Sequence, residues 1–316
     1  MNRPMNYDAF TGILKQLEYC NLCPRNCHVN RLVGQHGFCK SDASFNIASI
    51  CIHHGEEPAI SGTDGICNIF FTNCNLQCIY CQNFQISDNR ISRCLYNMEL
   101  TDVISKITQI LDNGIKRVGF VSPSHFIPQM QVIIAIIHSL GYKPVWVYNS
   151  NGYDKAETLQ SLEGIIDVYL PDFKYMEPQL AYNFSGASDY PEFAMKSLKE
   201  MMRQKGTALF MDDDNTAESG IIIRHLVLPG HVENSIRIMR FLAEEISPRI
   251  HVSLMAQYYP TKRMANHPQL GRCVTEQEYR QVVYEMDKLG ICNGWIQEFE
   301  SNEFYRPDFD QPHPFE

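Results

Sequence analysis

Twelve cysteines are spread through this chain, and seven of them fall into two tight groups. The first group is Cys74, Cys78 and Cys81, spaced Cys-x3-Cys-x2-Cys in the segment Phe70-Phe71-Thr72-Asn73-Cys74-Asn75-Leu76-Gln77-Cys78-Ile79-Tyr80-Cys81. Three thiolates from one short loop can bind three irons of a 4Fe–4S cubane and leave the fourth iron without a protein ligand. Electron-transfer clusters instead close that position with a fourth cysteine. An open iron is where a substrate or cofactor binds the metal, and the chemistry then belongs largely to the cofactor. The alternative is a zinc knuckle or a set of incidental buried cysteines. A zinc site asks for a fourth Cys or His close by to close a tetrahedron, and the next cysteine, Cys94, is thirteen residues beyond Cys81.

The second group is Cys20-Asn21-Leu22-Cys23-Pro24-Arg25-Asn26-Cys27-His28 with Cys39, spaced Cys-x2-Cys-x3-Cys-x11-Cys. Four thiolates within twenty residues satisfy a closed metal site, and zinc and an iron–sulfur cluster are both acceptable to them. Gly34 and Gly37 allow the tight returns that so small a loop region needs. A structural metal is the favoured reading, because small loop-rich segments rarely fold without one. An auxiliary redox cluster and an unmetallated segment are the alternatives. Cys51, Cys67, Cys94, Cys273 and Cys292 have no ligand spacing and read as buried small hydrophobes; a hydrogen-atom donor or thiyl site among them is the sharper alternative.

With 44% apolar and 20% charged residues, the chain has the composition of a folded soluble protein. Twenty-seven basic against 36 acidic residues give a net charge of −9. Proteins that depend on phosphate contacts need a positive footprint, so no nucleic-acid partner is expected. The first ten residues show no secretory h-region, and the longest apolar runs, such as 132–137, are far short of a membrane span. A cytoplasmic protein without a membrane partner is expected. That compartment keeps thiols reduced, which favours metal ligation over disulfides.

Stepping outward from the cysteines, the strands that must position them read as 66–71, 118–121, 145–149, 167–170, 220–228, 251–257 and 295–299. Between them lie helical periodicities over 101–113, 128–140, 155–163, 191–204, 232–246 and 275–289. Asp112-Asn113-Gly114 and Leu140-Gly141 read as helix stops, and Thr275-Glu276-Gln277-Glu278 as a capping box. Strands separated by helices imply βαβ units and a parallel sheet. The fold class expected is α/β: a partial (β/α) TIM-like barrel of about six units with a small Cys-rich N-terminal metal-binding segment. Its regions are 1–65, Cys-rich; 66–300, the barrel; and 301–316, a C-terminal tail. Chemistry on such a barrel sits at the C-terminal ends of the strands.

The cysteine triplet with an aromatic, Tyr80, before the last ligand resembles the defining motif of the radical S-adenosylmethionine superfamily. Within it the chain is most similar to pyruvate formate-lyase activating enzyme-like proteins. The phrases that carry this are Glu56-Glu57-Pro58-Ala59-Ile60-Ser61-Gly62, Cys81-Gln82-Asn83, Tyr169-Leu170-Pro171-Asp172-Phe173-Lys174 and Arg224-His225-Leu226-Val227-Leu228-Pro229-Gly230, spread over nearly the whole chain. The resemblance implies a reduced 4Fe–4S cluster on Cys74, Cys78 and Cys81 that donates an electron to the sulfonium of S-adenosylmethionine. Methionine and a 5′-deoxyadenosyl radical follow, and the radical abstracts a hydrogen atom. A flavodoxin- or ferredoxin-like electron donor is implied as a partner.

The same resemblance nominates S-adenosylmethionine contacts at Tyr80, Ser122, Ser124, Asn149, Asp172, Lys174, Arg224 and Gln257. Ser122-Pro123-Ser124-His125-Phe126 stands where relatives often carry Gly-Gly-Glu, so hydroxyls or main-chain carbonyls would accept from the methionyl amine. His125 is either a proton donor or a packing residue. In Tyr148-Asn149-Ser150-Asn151-Gly152, Asn149 replaces the usual Asp. Asp172 and Lys174 are two apart on extended chain and point the same way; a simple ion pair is their alternative. Arg224, in an apolar strand, needs a partner, which is the cofactor's carboxylate by analogy or else Asp167 or another barrel acid. Gln257 and Tyr258 stand where activating enzymes carry a histidine, and His251 reads as structural. An auxiliary cluster in activating enzymes usually follows the main motif, whereas the extra cysteines here precede it.

Three functions remain distinct at this point. The radical installs a glycyl radical on a partner enzyme; or it modifies a small metabolite or another peptide; or the chain is a non-catalytic metal-binding module.

Overall fold

The computed structural model describes residues 8–91, 96–299, 301, 306–311 and 313–315. Its ten strands are β1 (Phe45–His53), β2 (Ile66–Phe71), β3 (Asn97–Met98), β4 (Arg117–Val121), β5 (Val145–Ser150), β6 (Val168–Pro171), β7 (Phe210–Met211), β8 (Ala217–Leu226), β9 (His251–Met255) and β10 (Gly294–Ile296). The strands β2, β4, β5, β6, β8, β9 and β10 lie side by side in that order, each parallel to the next. β1 pairs antiparallel with the outer edge of β2, and β3 with β1. The sheet runs from β10 at one edge to β3 at the other, so the barrel is open.

Residues 66–71 carry no polar alternation and are buried at every position, which is what a central parallel strand covered on both faces requires. Helices make each crossover: Leu100–Asp112, Ile127–Ser139, Ala156–Gln160, Tyr190–Lys205, Val232–Phe241 and Glu276–Lys288. Leu100–Asp112 turns Val103, Ile104 and Ile107 to the core at the three- and four-residue spacing of one helix face. The six crossovers match the expected number of units, and Thr275 and Glu278 form the reciprocal cap read from the sequence. Inside, the rings of Phe71, Phe120, Phe126 and Trp146 stack in a row, with centroids 4.7–6.2 Å apart.

Some elements differ from the sequence reading. β1 escapes it because a register shift between Ile47 and Ser49 breaks the alternation that marks a strand. β1 also brings part of the Cys-rich region into the sheet itself. The helix Pro178–Ser185 is missed because only Pro at its start marks it. β8 starts at Ala217 rather than 220 because it first forms a hairpin with β7. Among the described residues no helix is long and apolar enough to cross a membrane.

Candidate functional site

β2 delivers the chain to the cysteine loop, where Asn73 takes a left-handed conformation (φ 64°) and turns it across the strand ends. Asn89 then clamps the first cysteine: its Oδ1 accepts from Cys74 N at 3.0 Å and its Nδ2 donates to Cys74 O at 2.9 Å. Gln77 Oε1 accepts from Asn89 N at 3.0 Å, and Ile79 N donates to Phe184 O at 2.8 Å. The loop is thus fixed by backbone bonds and amide side chains.

Each thiol meets a polar neighbour. Asn151 Nδ2 and Leu76 N both donate to Cys74 Sγ at 3.3 Å. Ser185 Oγ donates to Cys78 Sγ at 3.0 Å, and Cys81 Sγ lies 3.2 Å from Ser87 Oγ. Burial pushes the Cys74 thiol up to about 12, with Cys78 and Cys81 adding to the shift. The Cys78 and Cys81 thiols are raised by burial as well. Buried thiols of this kind ionise when a cation is bound to them.

The three cysteines open onto a cavity of about 160 Å³ at the C-terminal ends of the parallel strands. Tyr80, Ser122, Asn149, Asp172, Lys174, Arg224 and Gln257 line the same cavity. Across from the thiols, Asp172 sits between two cations: Oδ2 is 2.5 Å from Lys174 Nζ and Oδ1 is 2.9 Å from Arg224 Nε. Arg224 also donates to Asn149 Oδ1 at 2.8 Å and meets Glu56 Oε2 at 3.2 Å. Its acid partners are therefore Asp172 and Glu56; Asp167 instead accepts from Trp146 N. Burial opposes the charge on Asp172, but Arg224 and Lys174 outweigh it and hold the carboxyl below the usual range. Glu57, buried beside this network, is pushed up to about 6 by burial, with Arg224 opposing and Glu56 reinforcing the shift.

Several nominated residues lie elsewhere. Ser124 is buried and does not line the cavity. His125 packs the loop, its Nε2 3.0 Å from Thr72 O, and burial depresses its pKa to about 3. Tyr258 spends its hydroxyl on Leu270 O at 2.7 Å. Cys67 is buried as expected, but Cys51 and Cys273 are half-buried and Cys292 is exposed; Cys94 lies outside the described residues. Sequence reasoning overlooks Asn151, Glu56 and Ser185. The first two lie inside the phrases already quoted, so closer reading of those phrases finds them. Ser185 lies 107 residues from its sulfur and carries no local signal.

Among the described residues no three His, Cys, Asp or Glu side chains stand close enough to share one metal ion. A cubane places each thiolate on a different iron, and Cys74, Cys78 and Cys81 line one cavity together with Lys174, Ser122, Asn149 and Asn151, a donor set that fits such a cluster.

No protein-family model matches the chain. It is 28% identical over 301 residues to an uncharacterized protein of Methanocaldococcus jannaschii, a match covering 92% of this chain and 80% of that one. Streptococcus suis SuiB bound to S-adenosylmethionine is similar at a TM-score of 0.48 and 15% identity, over 72% of this chain and 48% of SuiB. The FeFe-hydrogenase maturase HydG from Carboxydothermus hydrogenoformans is similar at 0.49 and 15%, over 71% of this chain and 50% of HydG. The chain spans about half the length of each of these two solved proteins.

Proposed function

We propose that this chain is a radical S-adenosylmethionine enzyme whose catalytic 4Fe–4S cluster is held by Cys74, Cys78 and Cys81. The observation that carries the reading is the convergence of three thiols, spaced to leave one iron open, with Asp172, Lys174 and Arg224 on one cavity at the strand ends. When bound, the cluster and S-adenosylmethionine supply one-electron cleavage of the sulfonium and a 5′-deoxyadenosyl radical.

The chain's own residues bind and orient. Lys174 uses one N–H on Asp172 and has two more for a carboxylate. Arg224 is committed to Asp172, Glu56 and Asn149, so in this reading it sets the direction of those acceptors rather than gripping the ligand alone. Ser122 and Asn149 present a hydroxyl and an amide where an amine would be received. The hydrogen bonds from Asn151 and Ser185 to thiolate sulfur tune the potential of the centre.

Within this reading, the strand-end phrases favour hydrogen abstraction from a backbone glycine of a partner protein, with electrons from a flavodoxin- or ferredoxin-like donor. Modification of a small metabolite or another peptide is the competing target. The test has two arms. Reconstituted protein, S-adenosylmethionine and a strong reductant should form 5′-deoxyadenosine, and the Cys74→Ala/Cys78→Ala/Cys81→Ala variant should form none. Absence of that product from cluster-loaded wild type overturns the enzyme reading. Adding a glycyl-radical partner should give a doublet in electron paramagnetic resonance. Its absence, with deuterium entering 5′-deoxyadenosine from labelled metabolites instead, overturns the glycine target.

A further inference from the structure

We infer that Cys20, Cys23, Cys27 and Cys39 hold a second 4Fe–4S cluster, linked to the Cys74 loop by hydrogen bonds. All four cysteines line one largely enclosed cavity, together with Arg25, Arg31 and Gly37. The enclosed space is small, about 10 Å³. A zinc ion draws its sulfurs to about 2.3 Å, which leaves no such room. Four cysteines lining one enclosed space can supply a cubane with one thiolate for each iron.

The lining is also built for an anion. Arg31 is 1% exposed, and among the described residues no carboxylate pairs with it. Its donors go to the carbonyls of Asp42 and His125 and, at 3.9 Å, toward Cys20 Sγ. A buried guanidinium without a carboxylate is costly, and a cluster carrying four thiolates supplies the missing negative charge. Arg25 NH2 is buried in the same lining without an acceptor. The inorganic sulfides of a cubane add acceptors for such N–H groups beyond the four cysteine sulfurs. Gly37 completes the fit, since a Cβ there would lie 2.6 Å from Cys27 Sγ.

The link to the first site is short. Phe38 N donates to Cys27 Sγ at 3.2 Å, Asn89 Nδ2 donates to Phe38 O at 3.0 Å, and Cys74 N donates to Asn89 Oδ1 at 3.0 Å. Arg25 Nε adds a second route to Asn75 O at 2.9 Å. One electron from an external iron–sulfur or flavin donor protein can therefore reduce the second cluster and pass on to the first, with no atom transferred. This coupling rests on the function proposed above; the second site itself does not.

The test is iron, sulfide and zinc analysis with Mössbauer spectroscopy on anaerobically reconstituted protein. The Cys74→Ala/Cys78→Ala/Cys81→Ala variant should keep about four irons and about four sulfides per chain and no zinc. A zinc ion without iron, or folded variant with neither, overturns the inference. Should that variant fail to fold, wild type decides: about eight irons support two clusters, and about four with one zinc overturn the second. Four irons in both proteins keep this site and sink the first one, so the two readings fail separately. In dithionite-reduced wild type the electron paramagnetic resonance signal should broaden relative to either single-site variant (the second being Cys20→Ser/Cys23→Ser). Unbroadened signals overturn the coupling.

Discussion

Asp172 is the residue on which the cavity's charges balance. Among the described residues it is the one carboxylate that touches both Lys174 and Arg224, and each contact is short. Removing one partner of a buried ion pair strands the other charge, at about 3–5 kcal/mol when burial is complete. The Asp172 side chain is 15% exposed, so Asp172→Asn should cost about 3 kcal/mol, read from the urea midpoint. It should also weaken S-adenosylmethionine binding about tenfold or more, measured by equilibrium dialysis. The pH dependence has a definite sign. Despite burial, Arg224 and Lys174 depress the folded pKa of Asp172 below that of the unfolded chain, about 3.9. Its contribution is therefore complete above about pH 4 and is lost as pH falls through the folded value. The stability gap between wild type and variant should stay level from pH 8 to 5 and close only below that range.

At the scale of elements, two side chains show how the strand ends are locked. His225 on β8 places Nδ1 2.7 Å from Phe173 O after β6 and Nε2 2.8 Å from Ser235 Oγ on the helix Val232–Phe241. Burial lowers its pKa to about 4, against the pull of the Phe173 bond, so it is neutral in the fold. The unfolded chain takes up that proton below about pH 6.5 while the native chain does not. Stability from this site should fall as pH drops from about 6.5 to about 4, by up to about 1.4 kcal/mol per pH unit, and His225→Gln should flatten that limb. Gly152, at the end of β5, has φ +80°, and a Cβ there would press on Asp172 O and lie 2.6 Å from Tyr190 Oη. Gly152→Ala should cost about 1–3 kcal/mol by denaturant titration; an unchanged midpoint would mean the β5 and β6 ends are not in contact. Such locks explain what was legible in sequence. The parallel strands and their helices were visible because burial on a regular element leaves a period, and Cys74, Cys78 and Cys81 because one loop carries all three. β1 was not, since its bulge erases the period. The partners of Arg224 were not either, because Glu56, Asn149 and Asp172 meet it only through sheet order.

At the scale of the whole molecule, residues 25–38 and 308–310 both close on the cysteine loop. The N-terminal cysteines reach it through Asn89 and Arg25. The C-terminal residues reach it from the other side. Gln85, four residues after Cys81, donates to Asp308 Oδ1 at 2.7 Å and Asp310 Oδ2 at 3.0 Å, and accepts from Phe309 N at 3.0 Å. The Phe309 ring sits edge-on to Phe70, centroids 5.2 Å apart, in a small cluster with Ile86 and Val121. This cluster backs the short helix Phe84–Ser87, whose last residue contacts Cys81 Sγ. Phe309 therefore supports the third cysteine without touching it. Phe309→Ala removes a buried ring and should cost about 3 kcal/mol. The loss should be local, because the residue belongs to a satellite cluster rather than the main core. The expected outcome is faster amide exchange across 84–87 and faster iron loss to a chelator, with exchange in β5 and β6 unchanged. Tyr284→Ala, at an exposed ring outside this cluster, should alter neither rate. Equal acceleration in β5 and β6 would show that the tail stabilises the fold as a whole and that its position over the cysteine loop has no local role.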